Sequence, residues 1–310
     1  IVANVAQKVL FVGQKVAAGT STAGELNEAL QNDSSWDTLY GANSQLAGMV
    51  RAARKLNKVS QFDAISLDDA SGTPASGSFA ITGTATEAGT LKFVVGSKLE
   101  YMFSIAVETA ILANLECPVT AADTTGTVAL TADNDGTIGN FIPLQLIGAV
   151  AGISVATTAM SSGATDPTLT SVLGVIGDER YQTIVWPYAS DIATVKTFLD
   201  ARFNVTNAVQ DGIAVVPIVD TYANLVSTSA ALNSQSLVIL GDETQTGTNH
   251  KGASKVELPY IKAAQFGATR SLRLTTDANI AQLVLSANGA LDSFGGIALA
   301  SKPYFNTLLP

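Results

Sequence analysis

The stretch GDERYQTIVWPYASD, residues 177–191, holds the arrangement in this chain that looks most like an active-site loop. Asp178, Glu179 and Arg180 stand just ahead of an apolar run, and Trp186, Pro187 and Tyr188 follow where a ligand could stack. Paired carboxylates are the raw material of general acid–base work and of glycoside hydrolysis. Asp68-Asp69 is the second pair weighed for that role. The separation of two such carboxyls is set in three dimensions, so spacing alone leaves a carboxylate-dependent hydrolase open. The opposing reading makes Asp178, Glu179 and Arg180 the polar entry to a buried strand. Arg180 would then pair with a carboxylate or cover carbonyls at the end of the preceding helix.

Other chemistries find little support. The chain has one cysteine, Cys117, and one histidine, His250, which removes every zinc site built from those ligands. His250 sits in the polar loop TQTGTNHKGAS, a poor place for a preorganised base. Cys117 lies between Glu116 and Pro118 and reads as a packed thiol. The glycines from Gly13 to Gly19 follow a strand, but their spacing is wrong for a phosphate loop and no lysine follows Gly19. No G-x-S-x-G nucleophile elbow occurs. Asp133, Asp135 and Gly136 resemble a calcium loop only loosely and read as a solvated turn. No catalytic residue, metal ligand or cofactor is expected.

Composition points elsewhere. Only 14% of the 310 residues are charged while 47% are apolar, and the net charge is −9. Soluble domains usually carry about 25% charged residues. Much of the surface is therefore small and uncharged, which suits packing against other protein. The acid excess argues against nucleic acid as a partner. No apolar run approaches the ~18 residues of a membrane span, so no membrane insertion is expected. The chain opens IVANVAQKVLFVG without an initiator methionine and reads as the edge of a fragment or of an ordered region.

Periodicity then places the elements. KVLFV (8–12) reads as a strand, and after a Gly/Ser/Thr loop Asn43 to Leu56 reads as an amphipathic helix with Arg51, Arg54, Lys55 and Lys58 facing out. FDAISL (62–67) reads as an alternating strand, completing a βαβ unit. From Ser71 to about Ser154 short Thr/Gly/Ala/Ser-rich runs predict antiparallel strands, with a helix near Glu108 to Leu115 and a tight turn at Asp135-Gly136. Alternation returns afterwards. Helices are expected at 168–176, from Ser190 through Phe203, at 221–232, 259–272 and 279–285, and strands at 182–187, 212–219 and 236–240. The expected fold is α/β: a layered core, residues 1–70 plus 155–310, carrying an inserted β-rich surface domain of sandwich or barrel type at 71–154.

In this setting the chain resembles the sheath protein of contractile phage tails, of the Mu-like and related myovirus type. The resemblance rests on GDERYQTIVWPYASD, QLAGMVRAARKLNKVSQFDAISLDDA (45–70), SFAITGTATEAGTLKFVVG (78–96), CPVTAADTTGTVALTADNDGTIGNFIPLQL (117–146), SGATDPTL (162–169) and LDSFGGIALASKPYFN (291–306), in serial order. The segment ETAILANLE departs from it by shortening a helix between Val107 and Cys117.

The resemblance implies a structural virion protein that forms stacked hexameric rings around a tail tube and contracts without nucleotide. Its implied partners are copies of itself, the tail tube protein, and baseplate and tail terminator proteins. Its implied place is the phage tail, assembled in the host cytoplasm. Such subunits also carry an N-terminal extension and a C-terminal interlocking domain, both expected to be absent here. The family has no catalytic residues. Candidate contacts between subunits are Asp178, Glu179 and Arg180 against the face of Arg51, Arg54 and Lys55. A surface binding module, in which the β-rich part recognises a glycan or receptor, is the other alternative.

Overall fold

The computed structural model describes residues 7–30, 35–69, 72–96, 98–101, 111, 114–202, 212–243 and 257–276. Its organising element is a six-stranded sheet. Strand β1 (Lys8–Gln14) pairs in parallel with β3 (Gln61–Leu67) on one side and β11 (Thr183–Val185) on the other. β12 (Ile213–Asp220) and β13 (Leu237–Glu243) extend it in parallel, and the short β2 (Leu26–Asn27) adds an antiparallel edge to β3.

A parallel sheet is covered on both faces, so its strands read as continuous apolar runs. That is why β1 is buried from Val9 through Gln14. It also corrects the expectation of an alternating, half-exposed β3, because Phe62 through Leu67 are all buried. The polar members of that strand are enclosed with partners. Asp63 accepts the Ala29 amide at 2.7 Å, and Ser66 meets the Ser21 hydroxyl at 2.9 Å.

Helix α1 (Ser35–Tyr40) precedes α2 (Gln45–Leu56). Ser44 caps α2 by accepting the Ala47 amide at 3.1 Å, a contact whose loss typically costs about 1 kcal/mol. Leu46, Met49, Val50 and Ala53 form its buried stripe. Of the four basic residues expected to face out, Arg54 does not. It is 5% exposed, its guanidinium lies 3.9 Å from the Phe62 ring centroid, and it donates to the carbonyls of Leu30, Asn57 and Ser60.

Further along the chain lie α3 (Thr170–Ile176), α4 (Ile192–Arg202), α5 (Tyr222–Leu232) and α6 (Pro259–Thr276). Helix α6 packs on β1, β11, β12 and α2. It approaches so closely that a Cβ at Gly267 would lie 2.8 Å from a Val185 methyl. Lys262 of α6 reaches Asp242 of β13 at 2.5 Å, and both side chains are buried. The helix expected at 279–285 and most of that near Glu108 to Leu115 lie outside the described residues, as does the shortened segment's packing.

Between β3 and α3 the chain builds two antiparallel sheets. One has the order β10 (Ile153–Ser161), β4 (Pro74–Gly83), β8 (Thr127–Asp135), β7 (Val119–Thr124). The other has the order β6 (Lys98–Tyr101), β5 (Lys92–Val95), β9 (Leu144–Ile147). Phe79 and Phe93 meet edge to face across them at 4.9 Å. β10 pairs along β4, and an isolated bridge joins Thr73 to Ala164, so antiparallel pairing continues to residue 164. The tight hairpin turn is Thr125-Gly126, where both residues have positive φ, and Asp135-Gly136 instead leads into a short 3-10 turn, Thr137–Phe141.

One face of the four-stranded sheet packs inward through Phe79, Val128 and Leu130. The other carries mainly small side chains away from the Asp133–Asp135 end of β8. Its cross-strand rows run Thr120–Thr131–Ser76, then Ala122–Ala129–Ser78–Thr158, then Thr124–Thr127–Ala80–Ala156.

The buried Lys262–Asp242 pair makes a direct prediction. Replacing Lys262 by Met strands a buried carboxylate and should lower unfolding free energy by about 3–5 kcal/mol. The double variant Lys262→Met/Asp242→Leu should recover most of that loss in denaturant titration. A single variant within 1 kcal/mol of the parent, on the order of an exposed pair, would show that the ion pair is not sealed from water.

Candidate functional site

In open α/β sheets ligands bind at the carboxyl ends of the strands. Here that edge is filled by side chains. Gln14 ends β1, Asp69 follows β3, and Tyr188 follows β11. The Gln14 amide group donates to Asp69 Oδ1 at 2.8 Å and to the Asp135 carbonyl at 2.9 Å. The Gln45 side-chain oxygen accepts the Gln14 backbone N–H at 2.9 Å, and the Tyr188 hydroxyl lies 2.8 Å from the same oxygen. Asn134 of β8 accepts the Gln45 backbone N–H at 2.9 Å and donates to Asp69 at 2.8 Å and to the Lys15 carbonyl at 3.1 Å. Beside it, Asn43 donates to Asp133 at 2.9 Å.

Burial dominates the electrostatics of this cluster. It raises the Tyr188 hydroxyl well above its ordinary range, so the group stays a neutral donor. Burial also raises the Asp69 carboxyl, against the hydrogen bond from Asn134. Asp133 is pushed up to about 6, again by burial, with Asp69 adding repulsion. The pair expected to form a solvated calcium-like turn, Asp133 and Asp135, therefore belongs to strand β8 and the seam between the sheets.

The loop 177–191 is divided by its chemistry. Tyr181, Trp186 and Tyr188 are core residues, not a stacking platform. Asp178, Glu179 and Arg180 are exposed at the opposite, amino end of the parallel strands. Glu179 forms an ion pair with Lys8. The carbonyls at the end of α3 are met by Arg202, which donates to Gly177 and, at 2.5 Å, to Glu179. Asp68 is mostly exposed and pairs with Lys15 at 2.8 Å. The two carboxylate pairs weighed for hydrolysis thus lie at opposite ends of one sheet.

Of the basic candidates, Lys55 is exposed. Arg51 is mostly covered, pairing with Asp37 at 2.5 Å and approaching Glu116 at 3.5 Å. Arg54 leaves the candidate contact set, because its guanidinium is enclosed among carbonyls of its own chain. Arg51, Lys55, Glu116, Glu257, Tyr260 and Gln265 line a cleft of about 210 Å³ between α2 and α6.

Cys117 is buried and takes part in no disulfide, in line with a packed thiol. His250 lies outside the described residues. Gly19 has a packing role, since a Cβ there would lie 2.7 Å from the Leu39 carbonyl. Among the described residues no group of three or more His, Cys, Asp or Glu side chains could hold a metal ion, and no helix is long and apolar enough to cross a membrane. Sequence reasoning missed Gln14, Gln45 and Asn134. Gln14 alone carried a signal, a polar residue closing an apolar strand.

Comparison with known proteins gives this geometry a context. No family model matches the chain. It is 32% identical over 197 residues to the Mu-like prophage FluMu tail sheath protein of Haemophilus influenzae, a match covering 58% of this chain and 40% of that protein. The chain thus spans well under half the length of that relative. Among solved structures, a sheath tail protein from Desulfitobacterium hafniense aligns over 86% of this chain and 59% of its own, at 13% identity and a TM-score of 0.36. The resemblance read from the sequence is borne out: over those 197 residues the chain is a relative of a Mu-like phage tail sheath protein.

Proposed function

We propose that this chain is part of a contractile phage tail sheath subunit, which polymerises as stacked hexameric rings around a tail tube and shortens to drive the tube through a host envelope. The observation that carries the reading is the 32% identity to a tail sheath protein over 197 residues. In this reading the antiparallel sheets, from residue 71 to about 164, form an inserted surface domain on the α/β core. The partners are other copies, the tube protein, and baseplate and terminator proteins, and the place is the virion tail after assembly in the host cytoplasm.

A non-catalytic role agrees with the filled carboxyl edge of the parallel sheet. The work of such a machine comes from contacts between copies that differ in free energy between two arrangements. A few kcal/mol per subunit, a common size for coupling energies, becomes large when many subunits move together. A second reading, a glycan- or receptor-binding module, draws on the open Ser/Thr/Ala face of the four-stranded sheet.

Electron microscopy of the full-length protein with tail tubes tests the sheath reading. Stacked rings or tubes are the expected result, and a monodisperse monomer at high concentration overturns it. The contact candidates are tested separately. Lys55→Glu and Asp178→Lys should each shorten or abolish assemblies, and their combination should restore them, because exposed charges within about 8 Å act on each other at physiological salt. Unchanged assembly lengths in both single variants would discard the pairing while leaving the sheath reading intact.

A further inference from the structure

Helix α5 lacks what a solvent-facing helix normally carries. A surface helix buries one stripe and turns charged residues to water on the other side. Along Tyr222–Leu232 there is no lysine, arginine, aspartate or glutamate. Leu225 is buried where the helix packs against β12 and β13. On the outer side, Tyr222 is 50% exposed and Val226 42%. Residues four apart share a helix face, so Tyr222, Val226 and the exposed Ala230 form one uncharged stripe open to water. Covering apolar surface of this kind is the dominant drive to protein association.

A complementary feature lies across the sheet. From the centre of the strand order, the crossover β1–α2–β3 runs one way and the crossovers β11–β12–β13 run the other. Crossovers between parallel strands are right-handed, so helices of the two directions cover opposite faces. Helix α2, with α6 packed against it, therefore covers one face and α5 the other. The cleft between α2 and α6 has the anatomy of a docking groove. Gly48, Ala52, Leu56 and Ile261 supply its apolar part, and Arg51 and the exposed Lys55 its polar rim. Leu115, next in the chain to the lining Glu116, is 74% exposed.

We propose that α5 of one copy of this chain seats in the α2/α6 cleft of the next copy, with Tyr222 and Val226 as anchors one turn apart. The choice of a second copy as occupant rests on the sheath reading, and three features of the chain favour it. Helix and groove lie on opposite faces, so no copy fills its own groove, and a heterologous contact of this kind repeats into a ring or an open stack. An uncharged helix lets chains of net charge −9 meet without bringing like charges together. Finally, α5 follows the carboxyl end of β12 as α2 follows that of β1, so both helices return toward the amino ends of the strands. Copies stacked face to back with their strands aligned thus run α5 along α2, and put Asp178 of one copy at the same end as Lys55 of the other.

Thiol cross-linking of the full-length protein under assembly conditions tests the contact. Cys117 is buried, which leaves the introduced thiols as the reactive pair. The double variant Val226→Cys/Gln265→Cys, treated with a short bis-maleimide, should give a ladder of covalent oligomers, and each single variant should give none. Covalent dimers from Val226→Cys alone would set α5 against α5 and overturn the proposal. Assemblies that form without a ladder overturn the docking and leave the sheath reading intact, whereas a protein that never associates overturns both. Val226→Asp, at an exposed position, should keep the parent's Tm while raising the concentration needed for assembly about tenfold or more. An unchanged threshold in that variant also overturns the docking.

Discussion

A parallel sheet cannot leave a face or a strand end open to water without cost, and this molecule follows from that constraint. Strands β1, β3, β11, β12 and β13 bury their side chains on both faces, so helices must cover each side. The carboxyl edge is closed differently. Instead of leaving a crevice, the chain turns Gln14, Gln45, Tyr188 and Asn134 inward, and their hydrogen bonds join this layer to the antiparallel sheets. The place where many α/β proteins hold a ligand is here a structural seam. Those hydrogen bonds tie the two kinds of sheet together.

Much of the α/β order was legible where an element carried a continuous apolar run or a helical spacing, whereas the nine-residue β10, rich in Thr, Ser and Ala, gave no such signal. The run 8–12, the helix ending at Leu56 and the strand near 213–220 all have continuous or helical apolar spacing. Elements too short for a period went unseen. Helix α1 has six residues and β2 has two, and both lie inside a stretch read as a Gly/Ser/Thr loop. Their buried Trp36 and Tyr40 were the available clue.

The site was less legible, for a different reason. Gln45 and Asn134 are partners across 89 positions, and no local spacing encodes such a contact. Arg54 was misplaced because a charged residue on an amphipathic helix normally points to water. Here three carbonyls and the face of Phe62 replace that water. The same principle explains the aromatic residues of the 177–191 loop, which look available to a ligand in one dimension and are packed in three.

The bare outer surface of the four-stranded sheet has its own implication. Its rows of threonine, serine and alanine hold no group that ionises in the ordinary range. Within those rows no side chain changes its charge between acid and neutral pH, so a partner seated on them would meet hydroxyls and methyls.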